Sequence, residues 1–285
     1  MTASRTATDE SLYANKLPSG APSFEIGVGL LVLVPLLAKL GLTIGTNTPL
    51  GPRLPLESIR APIETATYLG PSFAAILSGV TADNERIQVS LVSAGVFGGL
   101  AIVAPEAWVL ASVVLACASL LISYEFHSKA SEIVSLRSVI LGIIALAVVL
   151  SMIGLFGYEP ALIRTLASIS LAIGVIGLPA VTGYSYQSLI LGLIGATVIG
   201  AIGLVAPMMT AAVSLLGMGI MGLPLILLVS GAAGSLTALG TVIEKREIQT
   251  AMAVCIILIA GVPNTVPTGI AMIMALGIFA EVAEK

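Results

Sequence analysis

The sequence predicts an all-α membrane protein, a bundle of about nine or ten transmembrane helices. From Thr165 to Ile243 the chain runs for 79 residues without a single Asp, Glu, Lys, Arg or His. Hydrophobic residues make up 57% of the chain and charged residues 9%, against about 25% charged residues in typical soluble domains. Because each crossing needs about 20 residues, the 285 residues accommodate this number of spans.

The charge-free stretch indicates a membrane protein because charged residues are favourable in water and costly in lipid. A soluble domain of that length places charged residues on its outer face, whereas a charged residue at the centre of a bilayer costs about 2.5–3.5 kcal/mol. The stretch therefore lies in lipid, and the rest of the chain has a similar composition. We predict a multi-pass protein of the cell membrane.

The chain divides into a tail and one domain. Residues 1–23 are polar and mixed in charge, which is typical of a disordered tail, and residues 24–285 form a single transmembrane domain. The net charge of -3 is spread along the chain, which argues against a nucleic-acid partner. The predicted partner is the lipid bilayer, and a second copy of the chain or partner membrane subunits remain open.

Prolines and charges divide the first half of the chain into five spans, residues 24–44, 63–81, 87–104, 108–124 and 138–156. In the first span, Lys39 lies within reach of the interface, and Gly41 and Gly45 at GxxxG spacing predict a close contact with a neighbouring helix. Residues 46–62 hold four prolines and three charges, and are predicted to be a loop in water.

Three further features mark this half. Gly70-Pro71 predicts a kink in the second span. Trp108 and Tyr124 stand at the ends of the fourth span, where interfacial aromatic residues are expected. The segment 125–137 is the most polar inside the chain and is predicted to be a solvated loop or a short surface helix.

Proline, glycine and tyrosine divide the second half, with helices predicted at 166–181 and 188–206. Residues 208–243 are too long for one crossing and short for two, so we predict a turn or break from Met221 to Pro224. Residues 250–280 are likewise too long for one crossing and short for two. Small residues on the second of these helices predict close packing against a neighbour; they are Gly192, Gly195, Gly200 and Gly203.

A parallel internal repeat of about 100 residues is a further hypothesis. Residues 98–105 align without gaps on residues 200–207, and both segments end in Val-Ala-Pro. The repeats would span 65–164 and 165–285. The alternative is chance similarity, since the same few small and apolar residues fill most membrane helices.

The orientation depends on the number of crossings between Met208 and Ile243. With one or three, most basic residues fall on the amino-terminal side: Arg5, Lys16, Arg86, Lys129, Arg137, Lys245 and Arg246. The positive-inside rule then predicts a cytoplasmic amino terminus. Two crossings would remove the bias.

Residues suited to catalysis are scarce. The chain has two aspartates, Asp9 and Asp83, and a single histidine, His127, which argues against paired-aspartate magnesium sites and histidine-based zinc or haem sites. No phosphate-binding glycine pattern follows a predicted strand. We therefore predict a protein that is not an enzyme and binds no cofactor or metal.

The sharpest candidate site is the proline-rich interruption of the last apolar segment. We predict that a substrate or ion pathway is lined there by Pro263, Asn264, Thr265, Pro267 and Thr268. Prolines break the helical hydrogen-bond ladder, so a half-helix could begin there, with its amino-terminal dipole and freed carbonyls directed at a solute. The alternative is a tight turn at the bilayer surface, where water satisfies the same groups.

Two functional hypotheses follow. The first is a transporter or channel-like permease for a neutral, apolar or backbone-coordinated small solute, since no carboxylate or histidine is expected at the centre of the membrane. The second is a non-catalytic membrane subunit or scaffold of a multi-protein complex, which the small-residue packing faces suit equally well.

Overall fold

The computed structural model describes residues 22–46, 56–129, 135–157, 160–205, 224–261 and 265–284. These ranges form ten α-helices and no β-strand, which confirms the predicted all-α membrane fold. The helices are α1 (Pro22–Thr46), α2 (Leu56–Thr81), α3 (Glu85–Val103), α4 (Trp108–Lys129), α5 (Leu136–Gly154), α6 (Pro160–Thr182), α7 (Tyr186–Val205), α8 (Leu225–Glu244), α9 (Ile248–Ala260) and α10 (Val266–Glu284).

Short local signals set several helix ends. The side-chain oxygen of Asn84 accepts hydrogen bonds from the first backbone N–H groups of α3, and the Ser135 hydroxyl does the same for α5. Gly183 and Gly261 follow the ends of α6 and α9 with φ angles of 82° and 59°, a region that other residues rarely adopt. These signals fix the ends of the helices at particular residues.

Six of the described helices are long and apolar enough to cross a membrane, namely α1, α4, α5, α6, α7 and α8. Helices α9 and α10 are shorter apolar helices by the same measure. At 1.5 Å per residue α9 extends about 20 Å and α10 about 28 Å, against a hydrocarbon core of about 30 Å. By itself, α9 is therefore too short to cross.

Successive helices run in opposite directions. We call the end of the bundle where α1 begins the amino-terminal end. There, Arg137 at the start of α5 lies 3.5 Å from the carbonyl oxygen of Phe279, near the end of α10. Lys245, just after α8, donates a hydrogen bond of 2.7 Å to the carbonyl of Thr182 at the end of α6. Because α7 ends and α8 begins at the opposite end, the chain makes one net crossing between residues 208 and 243.

This topology gathers basic residues at the amino-terminal end. Arg86, Arg137 and Lys245 lie there, whereas Arg60 and Arg164 lie in the first turns of α2 and α6 at the opposite end. The distribution is the one for which the positive-inside rule predicts a cytoplasmic amino terminus. That orientation stays a prediction.

Helix α10 occupies the centre of the bundle. Among the described helices it contacts α2, α3, α4, α5 and α9, and every residue from Val266 to Gly277 is buried. Around it, α1 to α6, α8 and α9 form a ring of successive contacts that closes between α9 and α1. Helix α7 lies outside this ring and packs chiefly against α8. The last helix of the chain is therefore the core of the protein.

Close packing at small residues holds α10 in place. A Cβ added to Gly277 would lie 3.2 Å from the Leu91 side chain of α3, and one added to Gly269 would lie 2.8 Å from Met152 of α5. Lipid chains are as apolar as leucine, so such van der Waals fit, and not exclusion from water, favours helix association in the bilayer.

The predicted packing role of glycine is confirmed on α7 and contradicted on α1. Added Cβ atoms at Gly192 and Gly195 would collide with side chains of α8. At Gly41, by contrast, no atom of the described residues lies within 4 Å of an added Cβ, so the contact expected there is wrong. The close approach of α1 to α2 is instead at Gly70, whose added Cβ would meet the backbone carbonyl oxygen of Leu31.

Two further expectations need correction. Helix α2 begins at Leu56 and contains Pro62, so the predicted loop 46–62 is too long by about two helical turns. Proline is tolerated there because it removes one hydrogen bond near the start of the helix, at an exposed position. The segment 125–137 is also not wholly solvated: α4 continues to Lys129, and Glu125 is buried.

The internal repeat stays a prediction. Helices α3 and α7, which carry the aligned sequences, run in the same direction, as a parallel repeat requires. The continuation of the second copy, from residue 206 to 223, lies outside the described residues, as does Met221 of the predicted break. Pro224 immediately precedes α8.

Candidate functional site

The interruption between α9 and α10 is present, and its described part is capped internally. The Thr268 hydroxyl donates a hydrogen bond to the Thr265 carbonyl at 2.9 Å, and the two threonine hydroxyls lie 3.0 Å apart. The backbone N–H of Thr265 in turn donates to the Thr268 hydroxyl at 3.3 Å. Pro267 is the second residue of α10, where a helix needs no backbone donor. These bonds join the Thr268 side chain to the backbone and side chain of Thr265, the residue before the helix.

The interruption lies at the end of the bundle opposite the amino-terminal end. Gly269 packs against Met152, which is two residues before the end of α5. Pro263 and Asn264 lie outside the described residues, while Thr265 is half-buried and Thr268 is 9% exposed. The structure thus brings Thr265, Pro267 and Thr268 together at the level of neighbouring helix ends, and their role in a pathway stays a prediction.

A cavity of about 360 Å³ lies at the amino-terminal end, between α10 and the helices α1, α2, α3 and α9. Its lining divides into two layers along the helices. The rim, near the helix ends, consists of Glu25, Thr81, Asp83, Gln249 and Glu281. The floor, deeper in the bundle, consists of Val28, Leu91, Met252 and Met274. Phe24, Gly29, Ser78 and Ile278 complete the described lining.

The two layers differ in exposure as well as polarity. Asp83 is exposed and Glu25 half-buried, whereas Leu91 and Met274 on the floor are each 1% exposed. Met274 precedes Glu281 by seven residues of α10, a rise of about 10 Å. The cavity therefore passes from a carboxylate rim to an apolar floor over the length of a small molecule.

Helix α1 forms the outer wall of the cavity, and two glycines mark its closest approaches to neighbouring helices. Near the floor, Gly29 lies against the thioether of Met252 on α9. At the crossing with α2, Gly70 lies beside the Leu31 carbonyl. A Cβ added to Gly70 would lie 3.1 Å from the ring of Pro35. Pro35 has no N–H to donate to that carbonyl, so α1 lacks a hydrogen bond at this crossing.

A second polar cluster lies beside the cavity and has a structural explanation. The buried Glu125 carboxylate accepts hydrogen bonds from Asn84 at 2.9 Å and from Arg86 at 2.8 Å. Arg86 also lies over the Tyr124 ring, 5.1 Å from its centre. The cluster ties the α2–α3 turn to the end of α4, and its carboxylate is already neutralised by a basic partner.

Sequence reasoning missed the cavity residues because none of them belongs to a motif. Glu25, Asp83 and Glu281 are far apart in the sequence, and each lies next to the end of a predicted span. The available signal lay in the topology. If successive spans alternate in direction, the start of the first span, the turn after the second span and the end of the last span all lie at the same end of the bundle. Which of these ends become neighbours depends on helix packing.

Comparison with known proteins gives the family and no closer relative. The family model described as "Integral membrane family of unknown function (DUF8068)" matches residues 25–280. No curated protein matches the chain. No solved structure matches it either.

Proposed function

We propose that this chain, which belongs to the integral membrane family DUF8068, is a non-catalytic permease whose solute binds in the cavity at the amino-terminal end. The observation that carries the proposal is a cavity within the usual size range of small-molecule sites, placed between the central helix and a peripheral helix of a membrane bundle.

The contacts of the two walls support alternating access. Among the described helices, α10 packs against five others, whereas α1 packs chiefly against α2 and α9. A shift of α1 about its crossing at Gly70 would change the shape of the cavity without separating α10 from its five described neighbours. The hypothesis of a subunit or scaffold requires no such movement.

Cysteine accessibility tests the proposal without knowledge of the solute. Met274→Cys is made in a Cys117→Ala, Cys255→Ala background, reconstituted in vesicles of known orientation, and treated with a membrane-impermeant maleimide from either side. A permease exposes the cavity floor to each side in turn, so we expect labelling from both. Met252→Cys, at a half-buried floor position, is a second reporter in case the first variant folds poorly.

Two controls define the limits of the assay. Glu85→Cys, at an exposed position of the amino-terminal end, should be labelled from one side only. Phe73→Cys, at an exposed position in the span that the sequence predicts for residues 63–81, should be labelled from neither side. If both floor cysteines are labelled from one side only, or from neither, the permease proposal is wrong. One-sided labelling together with co-purification of other proteins at fixed stoichiometry would support the subunit hypothesis.

A further inference from the structure

We infer that the solute of this cavity is a membrane-dissolved molecule with an alkyl chain, which enters from the bilayer through the seam between α1 and α9. The inference rests on the proposed function and names both the class of solute and its route. It narrows the predicted neutral, apolar or backbone-coordinated solute to the apolar class. It depends on the apolar floor of the cavity and on the way in which α1 is packed.

The floor of the cavity suits an alkyl chain. It is lined by Val28, Leu91, Met252 and Met274, and Leu91 and Met274 are each 1% exposed. These four side chains offer a polar solute no strong hydrogen bond, and a buried polar group without a partner costs about 1–3 kcal/mol. Methionine side chains are flexible and polarisable, so they adapt to apolar chains of different shape.

The floor lies at the depth of the acyl chains of one leaflet. Gly29, which belongs to the lining, follows the start of the apolar span Phe24–Leu42 by five residues, a depth of about 8 Å. One half of the hydrocarbon core is about 15 Å thick. A molecule dissolved in the leaflet at the amino-terminal end therefore has its alkyl chain at the level of the floor.

Gly29 marks the edge of α1 that lies against α9. At about 100° per residue, Gly29 stands between Val28 on the cavity side of the helix and Leu30 and Val34 on its exposed outer face. A Cβ added to Gly29 would collide with the sulfur of Met252 on α9. The side chain of Met252 therefore lies at the boundary between the cavity and the outer face of the bundle.

The two edges of α1 are closed in different ways. At the α2 edge, a Cβ added to Gly70 would meet the backbone carbonyl oxygen of Leu31, so two backbones approach each other there. At the α9 edge the contact is made by the half-buried side chain of Met252, which can change rotamer without movement of a helix. The α9 edge is therefore the one that opens at the smaller cost.

Photolabelling in lipid vesicles tests the class of solute on the unaltered protein. The probes are a diazirine derivative of decanol, which dissolves in the bilayer, and a diazirine derivative of leucine, which stays in water. We expect the decanol probe to leave adducts on the floor residues Leu91 and Met274. Excess decanol should remove these adducts while those on the outer-face residue Val34 persist, and the leucine probe should leave none on the floor.

A reversible crosslink tests the route. In the Cys117→Ala, Cys255→Ala background, Gly29→Cys is combined with Met252→Cys, because the shorter side chain at 252 makes room for one at 29. Oxidation to the disulfide closes the α1–α9 edge, so we expect loss of the floor adducts of the decanol probe, and reduction should restore them. Met252→Ala opens the edge and should increase these adducts, whereas Ile278→Ala, which enlarges the cavity on α10, should increase them less.

The inference and the proposed function fail in different ways. If the decanol probe labels only the outer face, or if the leucine probe labels the floor equally well, the class of solute is wrong, although two-sided labelling of the floor cysteines would still support a permease. If the floor adducts persist in the oxidised pair, or if Met252→Ala does not increase them, the route is wrong. If the decanol probe labels the floor but the maleimide does not reach it from both sides, the class of solute stands and the permease is wrong.

Discussion

Helices α10 and α1 form opposite walls of one cavity, and they are held in the bundle in different ways. Helix α10 is enclosed by five described neighbours and is buried without interruption from Val266 to Gly277. Helix α1 has two main neighbours among the described helices, and its outer face exposes Leu30, Val34 and Leu37 by 46%, 57% and 46%. The two helices have a similar apolar composition, yet α10 forms the core of the bundle and α1 forms a wall at its periphery.

In a membrane bundle, the burial of a helix therefore depends on how many helices surround it and not on its hydropathy. A cavity between a fixed wall and a weakly held one is suited to opening and closing. If the comparison is right, substitutions in α10 should affect the whole fold, and those at the α1 crossing should affect one interface.

The largest expected effect is at Phe279, which is 0% exposed at the amino-terminal end of the core. Phe279→Ala should lower the free energy of unfolding by about 3–5 kcal/mol, because it removes a ring from close packing and leaves a void. Phe73→Ala, at a ring that is 57% exposed, should change it by less than about 1 kcal/mol. Unfolding by SDS in mixed micelles measures both, and equal losses would contradict the central position of α10.

The α1 crossing should give an intermediate effect. Gly70→Ala places a methyl group against the Leu31 backbone carbonyl, which cannot rotate away, and should destabilise the protein by about 1–3 kcal/mol. Gly41→Ala has open space and should be neutral or slightly stabilising through helix propensity.

The same SDS titration separates the two glycine variants. If Gly70→Ala is as stable as Gly41→Ala, α1 is not held at this crossing. The pivot would then have to be sought elsewhere on the helix.

The smallest expected effect is at the start of α10. Thr268→Val keeps the shape of the side chain but removes the hydroxyl that caps Thr265, and should cost about 1 kcal/mol. Thr165→Val removes an exposed hydroxyl that bonds within its own helix, and should cost less than about 0.5 kcal/mol.

Hydrogen exchange of the first amides of α10 is the sensitive readout for this pair. Faster exchange in Thr268→Val alone would confirm the cap. Unchanged exchange would mean that the surrounding protein, and not the hydroxyl, holds the helix start.

Much of the fold could be predicted because the residues that begin or end a helix lie close to that end in the sequence. The turn at Asp83 and Asn84, the proline at 160 and the interruption before Pro267 all lie where breakers and polar residues stand in apolar sequence. The start of α2 was missed because Pro62 was taken as a terminator, although a helix tolerates proline near its first turns.

The candidate site was predicted less well because its residues carry no local pattern. The interruption at 263–267 attracted attention through its two prolines, and the described threonines there cap each other. Glu25 and Glu281 are separated by almost the whole chain, and nothing near either one indicates that they line the same cavity.

The sequence alone determined that this chain is a multi-pass helical membrane protein, because the cost of placing charge in lipid acts on each segment separately. The tertiary structure decided that the last helix is the core, that Glu125 is buried beside Arg86, and that three distant carboxylates share one cavity. The reason is physical. Lipid and protein interiors are about equally apolar, so hydropathy does not distinguish a helix that faces lipid from one that faces other helices, and only the fit of their surfaces does.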